Sequence, residues 1–203
     1  MKISIKDFGE LSGQIIQEYT LTNRQGISLS AMTYGAAVTA IRVPDKNGLI
    51  ENIVLGYDTV DEYIAHRPFY GATIGRVAGR IDKGKFVLEG KSYQLETNEK
   101  GNHLHGGENS LDTKIWTVKT NSTENEAQLI FSYKSLHNEN SYPGNLTIQV
   151  TYTLTESNDW KINYHATTDE TTLFNPTNHV YFNLTGDPTY TIKQHQLSLT
   201  SNL

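Results

Sequence analysis

Long stretches of the chain alternate apolar and polar residues with a period of two, the signature of strands with one buried face. Leu146, Ile148, Val150, Tyr152 and Leu154 alternate strictly with Thr147, Gln149, Thr151, Thr153 and Thr155, which predicts a long half-buried strand with a hydroxyl-rich outer face. Beyond the polar Glu156-Ser157-Asn158-Asp159 the alternation resumes. Trp160, Ile162, Tyr164 and Ala166 now stand against Lys161, Asn163, His165 and Thr167, and the two runs read as an antiparallel hairpin. Leu129, Phe131 and Tyr133 form another such run, and Phe86–Leu88 with Tyr93–Leu95 flank a turn at Glu89-Gly90-Lys91-Ser92. Near the end, Thr189–Ile192 and Gln196–Thr200 also resemble strand pieces, predicting either an unpaired strand edge or a last strand that pairs inward.

Helical signals are sparse. The best is Thr59-Val60-Asp61-Glu62 leading into Tyr63-Ile64-Ala65, where a Thr hydroxyl and a Glu three residues later predict a capping box and one short helix. Gly71, Gly75, Gly79 and Gly84 punctuate a segment expected to make tight turns or close backbone approaches rather than ordinary core. No repeat and no Pro/Ser/Gly-rich linker divides the sequence, so a single all-β domain over residues 1–203 is expected.

Composition narrows the function. At 203 residues with 36% apolar content, the chain has enough apolar residues for a core. Seventeen Lys and Arg against 22 Asp and Glu give a net charge of −5 with no basic run, which argues against a nucleic-acid partner. No apolar stretch approaches the roughly 20 residues of a bilayer span, so no membrane partner is expected. The charged opening Met1–Asp7 lacks a secretory signal's apolar run, and the absence of cysteine excludes disulfides and thiolate ligands; a cytoplasmic protein is the expectation.

Three clusters carry candidate chemistry. In Asn102-His103-Leu104-His105-Gly106-Gly107-Glu108, two histidines share a face of an extended segment, and the glycines admit close approach of a ligand or another chain. In Phe174–Leu184, His179 sits among aromatic residues and amides able to fix its tautomer. In Gly75–Ile81, Arg76 and Arg80 are four apart among glycines, and a guanidinium fork can hold sugar hydroxyls or a carboxylate. Structural roles stand beside these: either arginine can cap a turn or pair with a surface acid, and His103 can be scaffold for His105. His66, His137, His165 and His195 read as surface or structural residues. The glycine spacing matches neither the P-loop nor the dinucleotide fingerprint. His103, His105 and Glu108 together form a possible divalent-metal set in a cupin-like barrel, although the Gly106-Gly107 spacer is one residue short and no second half-motif follows.

Taken in order, Gly75-Arg76-Val77-Ala78-Gly79-Arg80-Ile81, Asn102-His103-Leu104-His105-Gly106-Gly107 and Asn175–Leu184 resemble the aldose 1-epimerase (galactose mutarotase) family. Asn23–Gly26, Leu55–Asp58 and Ser141–Gly144 add weaker matches, so the resemblance spans nearly the whole chain. It implies a galactose-mutarotase-like β-sandwich of mainly antiparallel strands and interconversion of the α and β anomers of an aldose such as galactose or glucose. By the same resemblance His179 is the general acid, His105 hydrogen-bonds the sugar near its ring oxygen, Arg80 holds hydroxyls, and Tyr181 packs against the sugar. No metal or organic cofactor is implied, and the partner is a small aldose bound by a monomer or homodimer. Gly79 stands where many members carry an asparagine before the arginine.

Family members are considerably longer, and the resemblance places their carboxylate base in a portion without a counterpart here. The chain is therefore expected to be incomplete at its C-terminus, inactive or nearly so alone, and prone to associate through uncovered apolar edges. The alternatives are a sugar-binding module without turnover and the metal-dependent barrel; a hexose-6-phosphate epimerase would need a basic cluster that these residues do not show.

Overall fold

The computed structural model describes residues 1–200. The chain opens with a five-stranded antiparallel meander, β1 (Lys2–Leu11), β2 (Gln14–Thr22), β3 (Ser28–Met32), β4 (Val38–Pro44) and β5 (Ile50–Asn52), each strand pairing with the next. Helix α1 (Val60–His66) follows. Thr59 accepts the amide of Glu62 and the Glu62 carboxylate accepts the amide of Thr59, so the predicted capping box is present.

The middle of the chain is thin in regular structure. It holds the two-residue β6 (Thr73–Ile74) and the hairpin β7 (Lys85–Leu88) with β8 (Lys91–Gln94), which pairs Phe86 with Tyr93 as their spacing predicts. A second sheet follows, built from β9 (Thr117–Ser122), β10 (Glu126–Ser135), β11 (Leu146–Thr155) and β12 (Trp160–Thr168) in the order β12-β11-β10-β9. β13 (Thr177–Asn178) returns to pair antiparallel with β6. Mostly antiparallel strands in two facing sheets make the molecule all-β, as expected.

Burial along β11 alternates from Leu146 to Tyr152 as a period of two requires, and beyond it Thr153 and Thr155 of the expected outer face are covered as well. Leu146, Ile148, Val150, Tyr152 and Leu154 are at most 2% exposed and meet Ala127, Leu129 and Phe131 of β10 and Tyr19, Leu21, Leu29 and Val38 of the first sheet. The hairpin register runs from Leu146 opposite Thr168 to Leu154 opposite Trp160. The inward residues of β12 (Ile162, Tyr164, Ala166) are only half-buried, because β12 is the edge of its sheet among the described residues.

Two expectations are corrected. Thr189–Ile192 and Gln196–Thr200 are not strands: Ile192–Gln194 forms one tight helical turn, and no described strand lies beside the remainder to supply a ladder. Leu197 and Leu199 accordingly stay 84% and 78% exposed. The segment from Gly71 to Gly84 also contributes to the core, since Ala72, Thr73 and Ile74 are buried between α1 and the sandwich. The glycine at 71 serves this burial, with a left-handed φ of 62° and a position where a Cβ would run into the backbone of Val38.

Among the described residues no helix is long and apolar enough to cross a membrane.

Candidate active site

Residues 71–81 form a spine onto which the two histidine motifs are laced. On one side His179 donates its amide to Ala72 O (2.9 Å) and accepts that of Gly71 (3.1 Å), β13 pairs with β6, and Val77 bridges Asn175. On the other side Ile81 and His103 exchange amide–carbonyl bonds at 2.8 and 3.1 Å, and the His105 ring meets Ala78 O. Three motifs separated by up to about a hundred residues thus converge through backbone bonds.

His105 and His179 stand with ring centroids 5.1 Å apart and planes at 87°. Phe69 packs 5.0 Å from His105 and 5.7 Å from His179, Tyr181 lies 5.0 Å from His179, and Tyr70 stands edge-on to Tyr181 at 5.3 Å. Tyr181 is 40% exposed, so the aromatic wall is open to solvent.

His105 Nδ1 is 2.6 Å from the Ala78 carbonyl oxygen. A carbonyl only accepts, so Nδ1 carries the proton and Nε2 is left to act on a ligand. Burial lowers the His105 pKa, opposed by the bond to Ala78 and helped by the charges of His179 and Arg80. The ring is therefore held neutral near pH 7, with Nε2 an acceptor.

Arg80 sits at the rim, its side chain 58% exposed, and its Nε donates to Glu99 at 2.9 Å. It pairs with a surface acid while Nη1 and Nη2 face no protein partner among the described residues. Gly79 is exposed, and a Cβ there would meet no atom within 4 Å.

Arg76 and His103 are structural. Arg76 is buried and donates to Ser135 Oγ and O, Leu136 O, Pro143 O, Gly144 O and Thr172 Oγ1, fastening the β10–β11 connection to the spine. Burial lowers its pKa, and no carboxylate pairs with it among the described residues. His103 is fully buried, with Nδ1 2.9 Å from Glu96 O and Nε2 2.8 Å from the Tyr142 hydroxyl. Both nitrogens are thus engaged, and among the described residues no three His, Cys, Asp or Glu side chains converge as metal ligands. A cavity of about 480 Å³ between Val43–Ile53 and Leu184–Pro188 is lined by none of the candidate site residues.

Sequence reasoning missed Phe69, Tyr70, Arg67 and Asp112. The available signal was an aromatic pair set between Pro68 and Gly71 directly after the helix, but pairing Arg67 with Asp112 is a tertiary event with no local pattern.

A family model described as aldose 1-epimerase matches residues 17–202. The chain is 38% identical to the galactose mutarotase of Rattus norvegicus over 197 residues, covering 96% of this chain and 56% of that protein. It is 39% identical to the maltose epimerase of Levilactobacillus brevis over 193 residues, covering 92% of this chain and 55% of that protein. Among solved structures, galactose 1-epimerase from Lactobacillus acidophilus superposes with a TM-score of 0.81 at 30% identity, covering 89% of this chain and 53% of that one. The chain therefore spans little more than half the length of these relatives. With the match covering most of its residues, it belongs to the aldose 1-epimerase family.

Proposed function

We propose that the His105–His179 face binds the pyranose ring of an aldose such as galactose or glucose and supplies the acid side of anomer interconversion. The observation carrying this reading is the pair of imidazoles held 5.1 Å apart beside an open aromatic wall. Sugars present C–H faces that pack on aromatic rings and hydroxyls that both donate and accept, which suits Tyr181, neutral His105 Nε2 and the free guanidinium nitrogens of Arg80. Gly79 lies beside the same sugar edge and contributes space rather than a hydrogen bond.

In this reading His179 delivers a proton to the ring oxygen as the C1–O5 bond breaks, while the C1 hydroxyl gives up its proton and becomes the carbonyl. Rotation about C1–C2 and reclosure on the other face yield the second anomer. Charge and proton count balance without a cofactor. An imidazole suits the role because the same ring nitrogen can give a proton and take one back.

The proton from the C1 hydroxyl needs a base. Asp112 is close enough for its charge to act on His105, but its carboxylate is occupied by Arg67 and Ser110. This favours a chain that binds sugar and turns it over poorly alone, the base coming from the portion its relatives possess beyond the aligned region. The absence of cysteine and the acidic composition support a cytoplasmic setting and argue against nucleic-acid and membrane partners.

Polarimetry of freshly dissolved α-D-galactose, comparing the chain, His179→Ala and buffer, tests the reading together with calorimetric binding. Binding that weakens in His179→Ala and Arg80→Ala, with little acceleration, is expected. Galactose binding equal in all three proteins would refute the site, and acceleration abolished in His179→Ala would show a base within these residues.

A further inference from the structure

We propose that Arg67 is the positioning residue of the imidazole pair, clamping the loop that carries Phe69 to the loop that carries His105 and so fixing the two rings. The inference rests on reading His105 and His179 as the sugar-facing centre.

Arg67 is the first residue past α1, where it caps the helix in a left-handed conformation (φ 41°) with its amide 3.0 Å from Tyr63 O. From there its side chain reaches across to the segment that follows His105. Nε and Nη2 form a fork on Asp112 at 2.8 and 3.1 Å, Nη1 donates to Glu108 at 3.1 Å, and Nη2 also donates to Gly107 O at 3.3 Å. Asp112 is buried and is further fixed by the Ser110 hydroxyl. Burial works against the charge on Arg67, but the hydrogen bonds and charge of Asp112 and Glu108 outweigh it, so the guanidinium stays protonated.

The clamp has something to hold. Phe69 and His105 are both non-glycine residues in the left-handed region, at φ 62° and 56°. Such conformations cost free energy and persist where the surroundings over-determine them. The guanidinium lies 5.2 Å from the Phe69 ring centroid, and that ring in turn touches both imidazoles. One cation therefore grips the His105 loop by three groups and the Phe69 ring by its face. Arg67 bonds neither imidazole itself among the described residues, so its effect passes through the Phe69 ring and the Gly107–Asp112 loop.

A lysine cannot reproduce this arrangement, because a point charge satisfies one acceptor where the planar fork satisfies several. Since a displacement of about 1 Å at a reacting group can cost roughly 100-fold in rate, loss of the clamp is expected to register at the site.

The test uses Arg67→Met, Arg67→Lys and, as a control for loss of surface charge, Arg24→Met. Long-range nitrogen–proton NMR reports the tautomer and titration of His105 and His179 with no need for turnover, and calorimetry reports galactose affinity. Arg67→Met is expected to shift or broaden the ring resonances of both histidines, move the His105 titration toward the ordinary imidazole value, and weaken galactose binding about tenfold. Arg67→Lys is expected to fall between, and Arg24→Met to match the wild type. If Arg67→Met does not fold, Arg67→Lys and Glu108→Gln decide, the latter keeping the Asp112 pair while loosening the loop. Ring resonances and galactose affinity within twofold of wild type in the folded Arg67 variants would overturn the proposal. A wild-type chain that does not bind galactose would refute the proposed function, while the ring tautomers would still decide whether Arg67 positions them.

Discussion

Gly106→Ala tests why the histidine motif ends in two glycines. Gly106 has a φ of 84°, and a Cβ there would overlap the Gly75 carbonyl and lie 2.9 Å from Arg76 N. The His105 loop thus lies directly on the spine at the point where Ala78 O orients the His105 ring. An alanine in the left-handed region costs about 1–2 kcal/mol. Forcing two packed backbones apart adds about 1–3 kcal/mol, the range for overpacking. The expected loss is therefore about 2–5 kcal/mol, or roughly 4–20 °C in Tm for a chain of this size.

Gly90→Ala separates the two contributions. Gly90 has a φ of 75° in the β7–β8 turn, and a Cβ there meets nothing within 4 Å, so only the conformational cost of about 1–2 kcal/mol applies. Thermal and urea unfolding of both variants should place Gly106→Ala below Gly90→Ala by about 1–3 kcal/mol. The His105 ring resonance should move in the former alone. Equal losses, with the His105 ring undisturbed, would refute the argument that close approach rather than turn geometry demands this glycine.

Three further outcomes are expected. Arg76→Met strands buried carbonyls at Ser135, Pro143 and Gly144 and should cost about 3–5 kcal/mol in urea unfolding, whereas a change under 1 kcal/mol would contradict the anchoring role. Gly79→Asn meets no obstruction and should leave stability within about 0.5 kcal/mol while tightening galactose about 2–10-fold through one added hydrogen bond, as calorimetry would read. Burial lowers the pKa of His103 and of His105 below the ordinary imidazole value of about 6.5, so as the pH falls below it the unfolded chain binds more protons than the folded one. Stability should therefore decline from pH 6.5 toward 5.5, before most carboxylates titrate, and less steeply in His103→Gln; a Tm that is flat or rising on acidification there would exclude it.

What could be read from the pattern of residues depended on how many faces of an element are buried. β12 and the first part of β11 have one wet face, so Leu146–Leu154 and Trp160–Ala166 announce themselves by alternation, and the capping box at Thr59 is written in contiguous residues. β3 and the first half of β4 carry no such signal. Every residue of Ser28–Met32 and of Val38–Ile41 is buried: Leu29, Ala31, Val38 and Ile41 pack in the sandwich core, Met32 in the cluster under α1, and the covered Ser30 and Thr39 bond Thr20 and Glu18. A strand buried on both sides has no charged, solvent-facing side to mark its period, and small Ser, Thr and Ala residues on the covered side leave it faint. The opposite failure occurs at Gln196–Thr200, where alternation is present but no described strand offers a ladder. Alternation states what a segment can do, and pairing decides whether it does.

The same division runs through the site. His105, His179, Arg80 and Tyr181 were legible because their motifs are contiguous and resemble a family, and the structure brings His105, His179 and Tyr181 onto one face. The residues alone left Arg76 and Arg80 alike and only the resemblance singled out Arg80; what Arg76 does instead needed three dimensions. The two are four residues apart in one glycine-rich run, yet one is 2% exposed and fully engaged while the other keeps two guanidinium nitrogens toward solvent. The acceptors on offer mark the difference: Arg76 meets oxygens of Ser135, Leu136, Pro143, Gly144 and Thr172, whereas Arg80 meets only the Glu99 carboxylate among the described residues. One arginine of the run is thus scaffold, and the other keeps guanidinium nitrogens without a protein partner among the described residues. Burial follows the acceptors: a guanidinium at 76 is surrounded by the carbonyls of the β10–β11 connection, and one at 80 has a single carboxylate beside it and solvent beyond.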